Sequence, residues 1–210
     1  VLCAAPRQSD DNLKELQTEI QDIIEEQAPK YTLHDLIIAI SDNDIKQVNK
    51  ILDSGQVDIN GYWNPNYCSP LSTASEYGRY GIVSLLIMYG ADVNECYPLK
   101  HAITNEYTKI AKLLIKKGAK IEHEYIFNAI RTRNADMVKL LLNAANKKDK
   151  DLLNQWLNFS SPPLWSDLLS MVIYDYGCNQ DVIQVLIDYG FNITENTLKI
   201  AKRPGECNDK

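Results

Sequence analysis

The apolar residues of this chain fall in short helical stripes separated by turn residues, and the same arrangement returns several times along its length. Ile82, Val83, Leu85 and Leu86, and again Ile110, Leu113 and Leu114, follow the spacing of one helix face. Residues 69–94 read SPLSTASEYGRYGIVSLLIMYGADVN, and 97–122 repeat the plan as YPLKHAITNEYTKIAKLLIKKGAKIE. Each stretch predicts a short helix opened by Pro-Leu, a turn, and a second Val/Leu-rich helix closed at a glycine. The landmark alanines Ala74 and Ala102 are followed 16 residues later by Gly90 and Gly118. Ala39 and Gly55 keep that gap upstream, and Ala129 and Ala145 keep it downstream, with alanine where the glycine would stand. A weaker copy ends at Gly190 in DVIQVLIDYGFNIT, and residues 197–201 look like the first half of one more.

Each landmark has a physical task. The small alanine lets the two helices of a unit approach closely. Pro70 and Pro98 stand where a first helical turn has no backbone donor to lose. Gly90 and Gly118 close the second helices, where a left-handed residue is commonly needed. One unit cannot bury its apolar stripe alone, so the units must stack.

These residues resemble the ankyrin-repeat family, whose signature is Thr-Pro-Leu-His-x-Ala on a period of about 33 residues. Ser69-Pro70-Leu71-Ser72-Thr73-Ala74 matches it with serine in place of threonine and of histidine. The resemblance implies an all-α solenoid of stacked helix-turn-helix units. Its repeats are expected at about 31–60, 61–94, 95–122, 123–145 and 164–193, with a partial unit at 194–203 and a tail at 204–210. Ala74 to Ala102 spans 28 residues and Ala102 to Ala129 spans 27, so those units are expected to have lost most of the projecting hairpin. The longer segment 60–69, containing GYWNPNYC, is expected to keep it.

Two segments lie outside the repeats. Residues 10–30 contain an amphipathic helix with Leu13, Leu16, Ile20, Ile23 and Ile24 on one stripe, read as an N-terminal cap over the first repeat. Residues 146–167 form an insertion with its own apolar residues, expected to hold an extra helix stopped by Pro162-Pro163. Residues 1–9 read as a flexible terminus, and VLCAAP is equally compatible with the remnant of a secretory leader or with a cytosolic chain, so the compartment stays open.

Charge sharpens the picture once order along the chain becomes order in space. The formal net charge is −6, yet residues 1–30 carry 3 basic and 7 acidic groups and residues 31–95 carry 3 and 8. Residues 96–150 reverse this with 12 and 5, and 151–210 return to 4 and 8. An overall pI near 5.1 argues against a dedicated nucleic-acid binder. Lys109, Lys112, Lys116, Lys117 and Lys120 are expected on the outer helix face, either solvated or docking an acidic protein. The apolar runs are far shorter than the ~18 residues of a membrane span.

Site chemistry is sparse. His34, His101 and His123 lack metal-ligand spacing, and neither a Cys-x-x-Cys pair, a phosphate loop nor a nucleophile elbow occurs. No metal, cofactor, small-molecule substrate or catalytic residue is expected, and the chain reads as a non-enzyme and a monomer. Cys96 beside His101 is the one arrangement a thiol enzyme could use. Cys68 and Cys96 occupy equivalent positions in successive repeats, ~8–10 Å apart, beyond the ~7 Å reach of a disulfide. Cys178 and Cys207 fall near the inter-helix turns of the last two units and could approach, but an odd count of five without framework spacing favours free thiols.

The family resemblance implies binding of another protein at hairpin tips and at the exposed ends of first helices. The matching positions are Ser41 and Asp42, Glu76 and Tyr77, Thr104 and Asn105, and Arg131 and Thr132, joined by Tyr62, Trp63, Asn64, Asn66 and Tyr67 of the hairpin. Tyr62 and Trp63 either supply aromatic anchors or pack on the first repeat to hold the hairpin. An exported protein using residues 146–167 for contact is the alternative. Only 5 of the 22 basic residues are arginine, beside 22 Ile and 18 Asn, a composition typical of an AT-rich genome; an effector, inhibitor or immunity protein of a bacterium or virus fits it.

Overall fold

The computed structural model describes residues 13–20, 30–63, 69–122, 124–148, 151, 153–154, 172, 179–191, 195 and 197. Among them every regular element is a helix. Helices α1 (Leu33–Ser41) and α2 (Ile45–Asp53), α3 (Pro70–Glu76) and α4 (Tyr80–Met88), α5 (Pro98–Thr104) and α6 (Thr108–Lys116), and α7 (Glu124–Arg131) and α8 (Ala135–Lys148) form four pairs. Helix α9 (Gln180–Asp188) follows where the weaker copy was expected.

The pairs stack in two layers. First helices α1, α3, α5 and α7 pack each on the next, and second helices α2, α4, α6, α8 and α9 do the same. Between the layers lies one continuous core, with Leu36, Ile51, Leu71, Leu86, Leu99, Leu114 and Ile126 fully buried. The landmark alanines Ala74, Ala102 and Ala129 are fully buried too, where a larger side chain would push the layers apart.

Helix ends explain why the units are so regular. After α4 the Gly90 N–H donates to the Ile87 carbonyl and the Ala91 N–H to the Leu86 carbonyl, the paired bonds of a Schellman motif. Gly118 and Ala119 close α6, and Gly190 and Phe191 close α9, in the same way. The first helices close likewise: the N–H groups of Asp44, Arg79 and Tyr107 donate to the carbonyls of Ala39, Ala74 and Ala102. The alanines therefore carry a second task as acceptors of the closing bond. Where Ala145 replaces glycine no such stop forms, and α8 runs 14 residues to Lys148, into the start of the expected insertion.

Loops between repeats are bridged by asparagine. The Asn60 side-chain oxygen accepts from the Asp92 N–H at 2.9 Å, and that of Asn94 accepts from the Lys120 N–H at 2.8 Å. Glu122 occupies the next equivalent position, and no further bond of this kind occurs among the described residues. The shortened connection into α5 also forces Cys96 and Tyr97 into left-handed conformations at φ 60° and 56°.

Two expectations fall only partly on the described residues. The hairpin expected over 60–69 shows no strand in its described residues 60–63, which form a turn and bend; 64–68 lie outside the described residues. Residues 13–20 are helical, and of the expected capping stripe Leu13, Leu16 and Ile20 are 56%, 53% and 54% exposed, while Ile23 and Ile24 lie outside the described residues. In the first repeat Leu36, Ile40, Val48 and Ile51 have zero exposure. Most of the segment 146–167 lies outside the described residues.

Candidate functional site

The first helices present their C-terminal ends side by side, and the residues expected to bind stand there in register. Ser41 and Asp42 end α1, Glu76 and Tyr77 end α3, Thr104 and Asn105 end α5, and Arg131 and Thr132 end α7. Tyr77, Thr104, Asn105 and Arg131 are exposed. The polar side chains of this row are partly used by the backbone: Asn105 donates to the His101 carbonyl at 3.0 Å and Thr132 to the Ala129 carbonyl at 2.8 Å.

A cavity of 370 Å³ opens between α1 and α3, lined by His34, Ile37, Ile38, Ser41, Asp42, Trp63, Thr73 and Tyr77. Helical spacing brings His34, Ile38 and Asp42 onto one stripe of α1. Trp63 leans over them, its ring 5.5 Å from that of His34 at a 32° tilt. Its indole N–H is buried without an acceptor, so the ring is held by packing and not by a polar anchor. Trp63 thus packs against the core and forms a wall of the pocket.

The remaining expected residues separate. Tyr62 turns away from the pocket, its hydroxyl donating to the Glu95 carboxylate of the next loop. Asn64, Asn66 and Tyr67 lie outside the described residues. His34 and Ile38 were not expected. The signal for Ile38 was present: Leu36 to Ile40 is an unbroken apolar run, and a helix packed on one side cannot bury all of it; Ile38 stays 46% exposed.

Charge and titration set the character of this surface. Asp35 closes a capping box with Thr32, accepting from its N–H and hydroxyl at 2.7 Å each, and those bonds hold its carboxyl below the usual range. Farther along the row, burial lowers the His101 pKa, against a smaller raising effect of Glu76. On the opposite layer Lys109, Lys112, Lys116, Lys117 and Lys120 are all exposed, as the sequence led one to expect. The only ion pair among the described residues joins Lys100 to Glu124 at 2.8 Å.

Cys96 is a free, buried thiol, and the other four cysteines lie outside the described residues. Its sulfur contacts the Glu95 carboxylate at 3.9 Å, which gives it a negative neighbour and not the imidazole a nucleophile would use. The described residues hold no cluster of three or more metal-ligating side chains and no helix long and apolar enough to cross a membrane.

Comparison with known proteins agrees with this architecture. A family model for ankyrin repeats, in three copies, matches residues 36–125. A Rickettsia felis protein described as an ankyrin repeat protein is 32% identical over 160 residues, covering 74% of this chain and 38% of its own length. A second from the same organism is 30% identical over 94 residues, covering 42% of each. The chain therefore spans about two fifths of the length of these relatives. A chain from the complex of the predatory endopeptidase Bd0816 of Bdellovibrio bacteriovorus with immunity protein Bd3460 is similar in fold. Its TM-score is 0.62 at 19% identity, covering 82% of this chain and 92% of that one. Matched repeats and stacked helical pairs lead to one assignment: residues 36–125 are ankyrin repeats, and the pairs around them continue the same solenoid.

Proposed function

We propose that the chain is a non-enzymatic protein-interaction scaffold that takes up a segment of a partner protein along the exposed ends of its first helices. The pocket between α1 and α3 is the anchor point. The observation that carries this reading is the convergence of Trp63 and Tyr77, from separate elements, on one cavity with an exposed isoleucine beside them. Rigid aromatic side chains around an apolar recess are what binding anchors are built from. Effector, inhibitor and immunity roles are forms of the same proposal, decided by the identity of the bound protein.

The test is a paired affinity capture. Wild-type protein and the Trp63→Ala/Tyr77→Ala variant, matched for melting behaviour, are exposed to one extract and the bound proteins quantified. A partner held here drops at least tenfold with the variant, the loss of one anchoring contact of about 1.4 kcal/mol or more. Capture that survives the variant but is lost on deletion of 149–160 transfers the contact to the insertion and overturns the proposal.

A further inference from the structure

On the reading just proposed, the geometry points to a basic side chain of the partner protein, arginine above all, as the occupant of the pocket between α1 and α3. The argument is a count of what the cavity offers. Ser41 donates its hydroxyl to the Ile37 carbonyl at 2.9 Å, and Thr73 donates to the Ser69 carbonyl at 3.1 Å. The Trp63 N–H is buried. Those three donors are therefore withdrawn from any ligand, leaving the His34 ring and the Tyr77 hydroxyl as the remaining uncommitted polar groups apart from the Asp42 carboxylate. No lysine or arginine lines the cavity. Arg79, the N-cap of α4, is engaged with the Ser41 carbonyl at 2.8 Å and stands outside the lining.

Against this poverty of donors stands one charged acceptor. Asp42 is exposed, and while its backbone N–H donates to the Ile38 carbonyl, its carboxylate makes no hydrogen bond or ion pair among the described residues. It is the C-cap of α1, where the helix end is itself negative, so the carboxylate adds to the field instead of being neutralised by it. A shallower groove continues the rim with Asp35 and Asp44, and residues 31–95 carry 3 basic and 8 acidic groups. The other walls are the rings of His34, Trp63 and Tyr77 and the side chains of Ile37 and Ile38. An arginine suits all of these together. Its stem lies on isoleucine, its planar guanidinium stacks on aromatic faces, and its N–H groups pair with a carboxylate. An acidic side chain would meet the repulsion of Asp42, and a neutral polar one would leave that carboxylate without a cationic partner.

The experiment follows the Trp63 indole N–H signal, assigned by its disappearance in Trp63→Phe, while short peptides are titrated. The peptides are uncharged apart from one central residue: arginine, citrulline (its neutral isostere) or glutamate. A saturable shift with the arginine peptide is expected, weakened at least tenfold with citrulline, and weakened similarly in Asp42→Asn, whose melting should match wild type. Equal response to citrulline, preference for glutamate, or no saturable shift with arginine overturns the inference. The two proposals fail separately. Capture that is lost in Trp63→Ala/Tyr77→Ala but indifferent to Asp42→Asn and to competing arginine peptide sinks only this one. Capture indifferent to all these variants sinks the scaffold reading itself.

Discussion

His101 shows how one residue links packing to solution behaviour. It lies on α5 beside the buried Ala102, and its burial disfavours the charged form more than Glu76 favours it. The folded chain therefore binds this proton less readily than the unfolded chain. Its contribution to stability is fully present above the ordinary histidine value of about 6.5 and is lost as pH falls through it. Denaturation midpoints should thus decline between pH 8 and pH 5, with the decline shallower in His101→Gln, which stays neutral throughout. An identical decline in that variant would assign the pH dependence elsewhere. Residue identity also explains a contact no pattern announces: a Cβ on Gly78 would lie 2.5 Å from the Tyr107 ring, so the next repeat rests on a position that must stay bare.

At the level of elements, the closing turn of each first helix needs one left-handed residue. Asn43, Gly78, Glu106 and Arg133 fill it, at φ 59°, 70°, 62° and 58°. Glycine suits this conformation, asparagine tolerates it, and glutamate and arginine bear a cost of roughly 1–2 kcal/mol each. Replacing Glu106 or Arg133 by glycine relieves that strain but adds freedom to the unfolded chain. A net gain of about 0.5–1 kcal/mol per site is expected in chemical denaturation. A loss at both sites would mean that the side chains themselves hold the turn. The helix pairs were legible because their signals are local: Pro at the opening, alanine at the crossing, glycine at the close. The run-on of α8 through Ala145 is legible in the same terms, since alanine, the best helix former, stands where a stop was needed.

For the whole molecule, stacking decides which apolar residues are structural. The periodicity of Leu13, Leu16 and Ile20 is as regular as that of the core helices, yet these residues stand more than half exposed while Ile82 and Ile110 are buried. A triple replacement by glutamine is therefore expected to change unfolding free energy by less than about 0.5 kcal/mol, the range of ordinary surface changes. A loss of several kcal/mol would assign the capping role to that helix. The inter-repeat bonds belong to this scale as well. Arg79 reaches the Ser41 carbonyl and Asn179 the Arg133 carbonyl, so successive turns are tied by side chains with no common sequence signature.

The sequence by itself determined the repeat, the helix pairs, the buried stripes and the row of first-helix ends, because each follows from contacts or conformations within one unit. Only the tertiary structure decided that Trp63 and Tyr77 share a pocket with His34 and Ile38, and that Tyr62 leaves it for Glu95. It also decided that Leu13, Leu16 and Ile20 stand exposed while equally periodic residues of the repeats are buried. Those outcomes depend on how neighbouring units approach in space, and residues far apart in the chain carry no periodic mark of meeting.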